Sequence, residues 1–456
     1  MEDIIDHTKL HRGAKFFMDS GRSATYEEAM SLLGKFGLTI VVGADIASSV
    51  ACQTALLSLI NVARRTFLAG IDVIGLPDCA SKTPLTSRDH LIEAVIELGG
   101  NVATEARPEW PTALIGNAVA SPRGLPAWKL TWDGWRGGVV PADSGEHLAD
   151  DEAIPLAPIL AAAACAAEAF AVHAGDHATV GHRDAGLSLW RPGANWLNPD
   201  ESEPALVYLP SRLWLIGLGN LGQAFSWLLA CLPYEMPREV HLVLQDYDRI
   251  AQSNDSTSML SCITDIGKMK SRVVSDWLEA RGFTTYLEER RFGPWTRRTK
   301  DEPGLALCGV DNANARAVLD QAGFDLIVEV GLGGGPQAFR NMSIHTFPAS
   351  RTPAQIWGGQ VAQADENFEA QPAYQALKQA GMDGCGLTQL ASRTVGVPFV
   401  GLIAACLTIA EVLRRLHGGA ALEFLSMSAS TLDDIESGTL PALPYAHGYV
   451  DAKKLR

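Results

Sequence analysis

The segment from Arg212 to Lys270 constrains the fold more than any other part of the chain. An apolar run, Leu213 to Ile216, leads into Gly217-Leu218-Gly219-Asn220-Leu221-Gly222, and an apolar stretch of helical character follows. A second apolar run ends at Asp246. Strand, glycine turn, helix and strand in that order predict an α/β unit that binds a nucleotide. The glycines let the backbone approach phosphates, the helix N-terminus faces their charge, and a carboxylate after the second strand accepts ribose hydroxyls. Gly217, Gly219, Asn220, Gly222 and Asp246 are the candidate contacts.

The 456 residues suffice for two or three domains with full cores. A formal net charge of −15 argues against nucleic acid or an anionic membrane as the main partner. Met1-Glu2-Asp3 is acidic and no apolar signal segment follows. The Ala-rich run from Ile159 to Ala171 reads as too short to span a bilayer. Eight scattered cysteines without a Cys-x-x-Cys pair argue against a disulfide framework and against zinc. The expectation is a cytoplasmic protein with reduced thiols.

Two halves are expected on either side of a Pro- and Asn-rich linker, residues 191–210. In the first half, Leu38 to Val42 is followed by Gly43, an apolar helix-like run from Val50 to Ala63, and a strand-like run from Thr66 to Ile71 that ends at Asp72. A shift of 174 positions carries Gly43 onto Gly217 and Asp72 onto Asp246. The shift grows to 243 between Glu168 and Glu411, so the second copy is longer by about 69 residues in between. An internal duplication accounts for both landmarks; the shared pattern of all strand–turn–helix units is the alternative. The first turn, Gly43-Ala44-Asp45-Ile46-Ala47-Ser48, keeps one of three glycines and puts Asp45 where a phosphate would be repelled.

The second half carries further landmarks in order. Asp246 and Asp248 flank Tyr247 and share one face of an extended segment. Ser253-Asn254 follows, then Gly267 and Lys270 at the start of a helix expected from Met269 to Arg281. A strand-like run, Leu305 to Val310, ends in Asp311-Asn312, with Arg316 four residues after Asn312. Cys385 precedes a Gly- and apolar-rich segment. Taken singly, Lys270 could be a solvated helix-face lysine, Asp311-Asn312 a turn or helix cap, and Arg316 half of an ordinary surface pair. Their order after the glycine turn raises the functional reading.

In that order the set resembles the E1-like activating enzymes of ubiquitin and ubiquitin-like proteins, a superfamily that includes the ThiF and MoeB adenylyltransferases. The resemblance covers residues 211–419 in detail and the first half more weakly. It implies two tandem Rossmann-like, ThiF-type domains: a degenerate half (1–190) and an active half (211–419), paired as an intrachain pseudo-dimer. It further implies a crossover loop around residues 350–395 and leaves a C-terminal tail, residues 420–456. The implied reaction is ATP- and Mg²⁺-dependent adenylation of the C-terminal carboxylate of a ubiquitin-like protein. Lys270 would be the phosphate cation, and Asp311 would hold Mg²⁺. Asp246 would accept the ribose, and Asp248, Asn254 and Asn312 would line the site. Arg316 would pair with Asp311 or shape its loop. Cys385, flanked by glycines and expected on an open loop with Arg393 nearby, stands at the position of the family's thioester cysteine, from which an E2-like partner would take the acyl group.

One departure stands out. The family's Ser-Asn-Leu-x-Arg is Ser253-Asn254-Asp255-Ser256-Thr257 here, so that arginine is missing. In two-part E1 enzymes the degenerate half supplies an N-terminal arginine, for which Arg12 and Arg22 are candidates. Leu440 to Tyr449 reads as a cover or a partner dock. Short-chain bacterial E1-like proteins occur in conjugation operons, some tied to phage defence, and the chain resembles that kind. The rival readings are a ThiF- or MoeB-type adenylyltransferase for a sulfur carrier or peptide, an inactive nucleotide-binding subunit, and, last, an NAD(P) oxidoreductase.

Overall fold

The structure, a computed structural model, describes residues 6–119, 125–150, 153–175, 177–359, 368–441 and 444–453. Apolar runs bounded by glycines build two sheets. The first half contributes β1 (Gly37–Val42), β2 (Gly70–Ile74), β3 (Asn101–Ala103), β4 (Thr112–Ile115), β5 (Ala127–Asp133), β6 (Arg136–Pro141) and β7 (Ala185–Ser188), in the order β3-β2-β1-β4-β5-β6-β7. A short β8 (Tyr208–Pro210) follows. The second half contributes β9 (Arg212–Ile216), β10 (His241–Gln245), β11 (Thr284–Glu288), β12 (Leu305–Cys308), β13 (Leu326–Leu332), β14 (Asn341–Phe347), β15 (Ala421–Ser428) and β16 (Thr431–Leu440). Their order is β11-β10-β9-β12-β13-β14-β15-β16.

The two orders agree strand for strand, and the second sheet adds one strand. Each begins with five parallel strands and turns antiparallel at the sixth. In each, the first strand of the chain lies mid-sheet and its neighbours leave in opposite directions. That reversal opens a crevice at the carboxyl ends of the strands.

The halves meet through helices. Leu156–Ala174 and Pro398–Leu416 have 19 residues each and pack against one another, with Phe170 and Phe399 5.5 Å apart. Helices apolar all round can only be satisfied by burial. Leu156–Ala174 is longer than the run expected from sequence and is long and apolar enough to cross a membrane, yet 89% of that stretch is buried inside the protein. Its glutamate, Glu168, pairs with Arg183 at 2.7 Å, and Glu411 holds Arg414 and Arg415. Trp227 of the second half donates to Ser58 of the first at 3.0 Å.

Three expectations are corrected. The second strand of the first half lies at Gly70–Ile74, not at Thr66–Ile71. The amides of Thr66 and Phe67 close the preceding helix onto Ala63, so the apolar run starts as a helix exit. Asp72 therefore sits within β2, opposite Thr39 and paired with Arg107 at 2.7 Å. Gln245 lies opposite Ile216 in the second half, so it is Leu76, not Asp72, that stands where Asp246 does. Residues 420–456 are also more than a tail. β15 and β16 complete the sheet and bury Leu422, Leu425, Met427 and Leu432, and β17 (Tyr449–Asp451) pairs with β8. Residues 442–443 of the expected cover and 360–367 of the expected crossover loop lie outside the described residues.

Candidate functional site

The glycine turn occupies the crevice between β9 and β12. Gly217 has φ +84°, and a side chain there would press on Gly309 and Val310 at the end of β12. A Cβ on Gly222 would stand 2.1 Å from the Gly217 carbonyl oxygen. Gly219 differs: nothing lies within 4 Å of the place its Cβ would take, and it directly precedes the helix Asn220–Cys231. The opening of the turn thus faces free space over the first amides of a helix, an arrangement suited to an anion.

Asp246 closes one side. It is buried, and its carboxylate accepts the amides of Leu218 (2.7 Å) and Asp248 (2.8 Å). Burial raises its pKa, opposed by Lys270 and by those two amides. Lys270 opens the helix Lys270–Glu279, as expected, and its Nζ lies 3.0 Å from Asp248 Oδ2. The Lys270 amide also donates to the Asp248 carbonyl at 3.0 Å. Lysine, Asp248 and Asp246 therefore form one chain of contacts that ends on the glycine turn.

Asp311 stands at the far side, just past β12, with its side chain 82% exposed and 3.9 Å from Arg393. Arg12 approaches from the first half. Its amide donates to Ser256 Oγ at 3.1 Å, and its guanidinium donates to the Thr394 carbonyl. Burial, helped by Arg393, pulls that guanidinium down to about 10, and Asp311 opposes the shift. Arg22 instead lies over the rings of Phe16 and Phe17.

Other candidates have local duties. The Asn220 side-chain amide donates to the Gly396 carbonyl at 2.8 Å, fastening the turn to the segment before Pro398–Leu416. Asn254 accepts the Ala251 amide at 2.8 Å, and Asn312 caps the helix Ala313–Arg316 through the amides of Asn314 and Ala315. Arg316 turns inward. Its Nε lies 2.8 Å from the Val310 carbonyl and 3.1 Å from Glu329, and its guanidinium stacks on Trp357. Of its two expected roles it takes the shaping of the loop, because a wholly buried Glu329 claims its charge. Cys385 is exposed, in the first turn of the helix Gly384–Ser392 rather than on an open loop, because Asp383 caps that turn at the Gly386 amide (2.6 Å). Arg393 lies at the opposite end of this helix.

Sequence reading missed Arg65 of the first half. It is buried and donates to the carbonyls of Asp255, Met259 (2.8 Å) and Ser261 (3.3 Å), and so holds the loop that presents Ser256 to Arg12. No local pattern marks it. A cavity of about 320 Å³ adjoins Arg393, lined also by Lys15, Asp19, Gly334 and Tyr374.

The corresponding turn of the first half is filled by its own carboxylate. Asp45 accepts the Asn117 amide through both oxygens at 3.1 Å, and a short 3₁₀ helix, Ala44–Ala47, follows Gly43 before the α-helix begins at Val50. Among the described residues no group of three His, Cys, Asp or Glu side chains is arranged to hold a metal ion. Mg²⁺ on a nucleotide needs less, one or two carboxylates besides phosphate oxygens, and the exposed Asp311 fits that demand.

Comparison with known proteins follows the same division. Residues 37–189 match the BilD N-terminal domain and residues 209–419 the BilD C-terminal domain. A protein of Collimonas sp. (strain OK412), described as bacterial E1-like protein BilD, is 65% identical over 452 residues, 99% of this chain and 98% of that one. Solved structures of E. coli MccB are more distant. The MccB structure with succinimide is 13% identical, covering 50% of this chain and 64% of that one at a TM-score of 0.34. The MccB structure with ATP is 14% identical, covering 51% and 64% at a TM-score of 0.31. This chain thus spans less than two thirds of MccB, and the likeness is too loose to carry an argument.

Proposed function

Because this chain belongs to the BilD family of bacterial E1-like proteins, we propose that it uses ATP and Mg²⁺ to adenylate the C-terminal carboxylate of a ubiquitin-like protein. The observation that supports the reading is the open glycine turn joined to Asp246 and, through Asp248, to Lys270, with Asp311 just past the neighbouring strand β12. A carboxylate oxygen of the carrier attacks the α-phosphorus, the bond to the β-phosphate oxygen breaks, and pyrophosphate leaves. Negative charge builds on phosphoryl oxygens, so fixed cations and positioning matter more than a strong base. The turn amides and Lys270 hold the phosphates, with Lys270 exchanging Asp248 for them. Asp246 takes the ribose hydroxyls. Asp311 holds Mg²⁺, which supplies charge neutralisation when bound. Arg12 replaces the arginine missing after Asn254. The cavity beside Arg393 receives the end of the carrier.

In this reading the halves are a degenerate and an active copy in one pseudo-dimer, with bounds near 1–190 and 211–419. Asp45 supports the inactivity of the first, because its carboxylate stands where a phosphate would. The thiolate of Cys385 then attacks the acyl carbon, AMP leaves, and a thioester forms for transfer to an E2-like partner in the cytoplasm, as part of a bacterial antiviral conjugation system. Cys385, second in a helix of nine residues, lies eight residues and about 12 Å along the axis from Arg393 beside Asp311. That separation favours a second reading, adenylation of a sulfur carrier or peptide without a thioester.

Exchange of labelled pyrophosphate into ATP, with a β-grasp carrier ending in glycine, tests the first step. Asp311→Ala is expected to abolish exchange and Cys385→Ala to spare it. A reductant-sensitive carrier adduct, lost in Cys385→Ala, tests the second. Full exchange by Asp311→Ala would remove the assignment of the site.

A further inference from the structure

Three side chains beyond Asp246 have no part in the scheme above. Tyr247 is 49% exposed and Trp295 62% exposed, although both are large aromatics in a chain with a full core. Neither is loose. The Trp295 indole N–H donates to the Arg291 carbonyl at 2.9 Å, and its ring rests on Gly293, where a Cβ would stand 2.7 Å from it. The Arg291 guanidinium lies over the Tyr247 ring at 5.8 Å. Gln245, the residue before Asp246, ties this loop to the site: its side-chain amide donates to the Arg290 carbonyl at 3.2 Å. The loop is basic as well. Arg290, Arg291, Arg297, Arg298 and Lys300 fall within 290–300, with Arg290 paired to Glu288 and Arg298 to Asp325.

We propose that Tyr247, Arg291 and Trp295 form the platform on which the base of the nucleotide stacks, so that this loop sets base affinity. The proposal rests on the reading that the site takes ATP. Asp246, which would hold the ribose, fixes where the base can go: past the ends of β10 and β11, where Tyr247 and the 290–295 loop stand. The Trp295 ring is held by its N–H on the Arg291 carbonyl and the Tyr247 ring lies under the Arg291 guanidinium, so stacking costs little ordering, and a guanidinium adds attraction to the π-face.

The test is calorimetric binding of Mg-ATP and of Mg-tripolyphosphate to the full chain. Tyr247→Ala and Trp295→Ala are expected to weaken ATP by about 5- to 150-fold, the loss of one aromatic–base stack. Tripolyphosphate binding should change less than about twofold, because the variants leave the turn and Lys270 intact. Tyr247→Phe, which keeps the ring, should retain most of the ATP affinity. Unchanged ATP affinity in both alanine variants overturns the platform while leaving the ATP site in place, as does an equal loss for both ligands. Failure of the unaltered chain to bind Mg-ATP overturns the ATP reading itself, and the platform with it.

Discussion

Gly219 and Gly222 belong to one turn but should fail in opposite ways when replaced by alanine. At Gly222 the new Cβ would lie 2.1 Å from the Gly217 carbonyl oxygen, about 1 Å inside contact distance, and both partners are backbone. The turn must open to accept it, at a cost of about 1–3 kcal/mol. For units of this size that lowers the melting temperature by about 2–12 °C. At Gly219 the Cβ meets nothing within 4 Å, and with φ −84° and ψ −140° the cost of alanine should be the smaller of the two, about 1 kcal/mol. The methyl group would, however, project over the helix amides where phosphate oxygens must come to about 3 Å. Losing that approach should weaken Mg-ATP binding at least about 100-fold, or about 2.7 kcal/mol. Thermal unfolding and titration calorimetry on the same two variants separate the effects. The reasoning fails if Gly219→Ala binds ATP as the parent does, or if Gly222→Ala melts at the parent temperature.

The remaining predictions concern the first half. Arg12→Ala should lower pyrophosphate exchange about 10²–10³-fold with the fold retained, and Arg12→Lys should not restore it, because an ammonium cannot reproduce the fork; full exchange by either variant would free Arg12 from the site. Arg65→Met strands the carbonyls of Met259 and Ser261, so it should cost about 2–4 kcal/mol in denaturant unfolding and weaken ATP binding through the 255–261 loop; a neutral outcome would show that the loop holds itself. Burial pulls the His11 imidazole down to about 4. A histidine with its folded pKa below the unfolded value of about 6.5 contributes stability that is complete above that pH and lost as pH falls toward about 4, at most on the order of 3 kcal/mol. His11→Gln should flatten that loss in unfolding measured at about pH 7.5 and about pH 5, on either side of the unfolded pKa, and an unchanged slope would place the acid sensitivity elsewhere.

Residues whose signal is local are legible in the sequence. The glycine turn, Asp246 and the helix at Lys270 announce themselves within a few positions, because strand, turn and helix chemistry act over that range. The repeated strand order likewise follows from two similar apolar patterns. Short apolar runs are less legible: Thr66 to Ile71 has the composition of a strand, but its first residues close a helix, a distinction periodicity alone does not make. Glycines around Cys385 suggest a loop, whereas Asp383 is a helix cap three residues before Gly386, a signal that is present and outweighed. Alternating polar strands give β15 and β16 the look of a tail. Arg65, the Arg393–Asp311 contact and the inward turn of Arg316 depend on partners distant in sequence or on which acid wins a cation, and nothing nearby in the chain encodes them.

The most direct test of the central claim is a crystal structure of the chain with Mg-ATP. The account predicts the triphosphate on the amides of residues 218–222, Lys270 drawn from Asp248 to the phosphates, and Asp311 facing the metal ion. A nucleotide bound elsewhere, or bound here with Lys270 still on Asp248 and Asp311 turned to solvent, would contradict it.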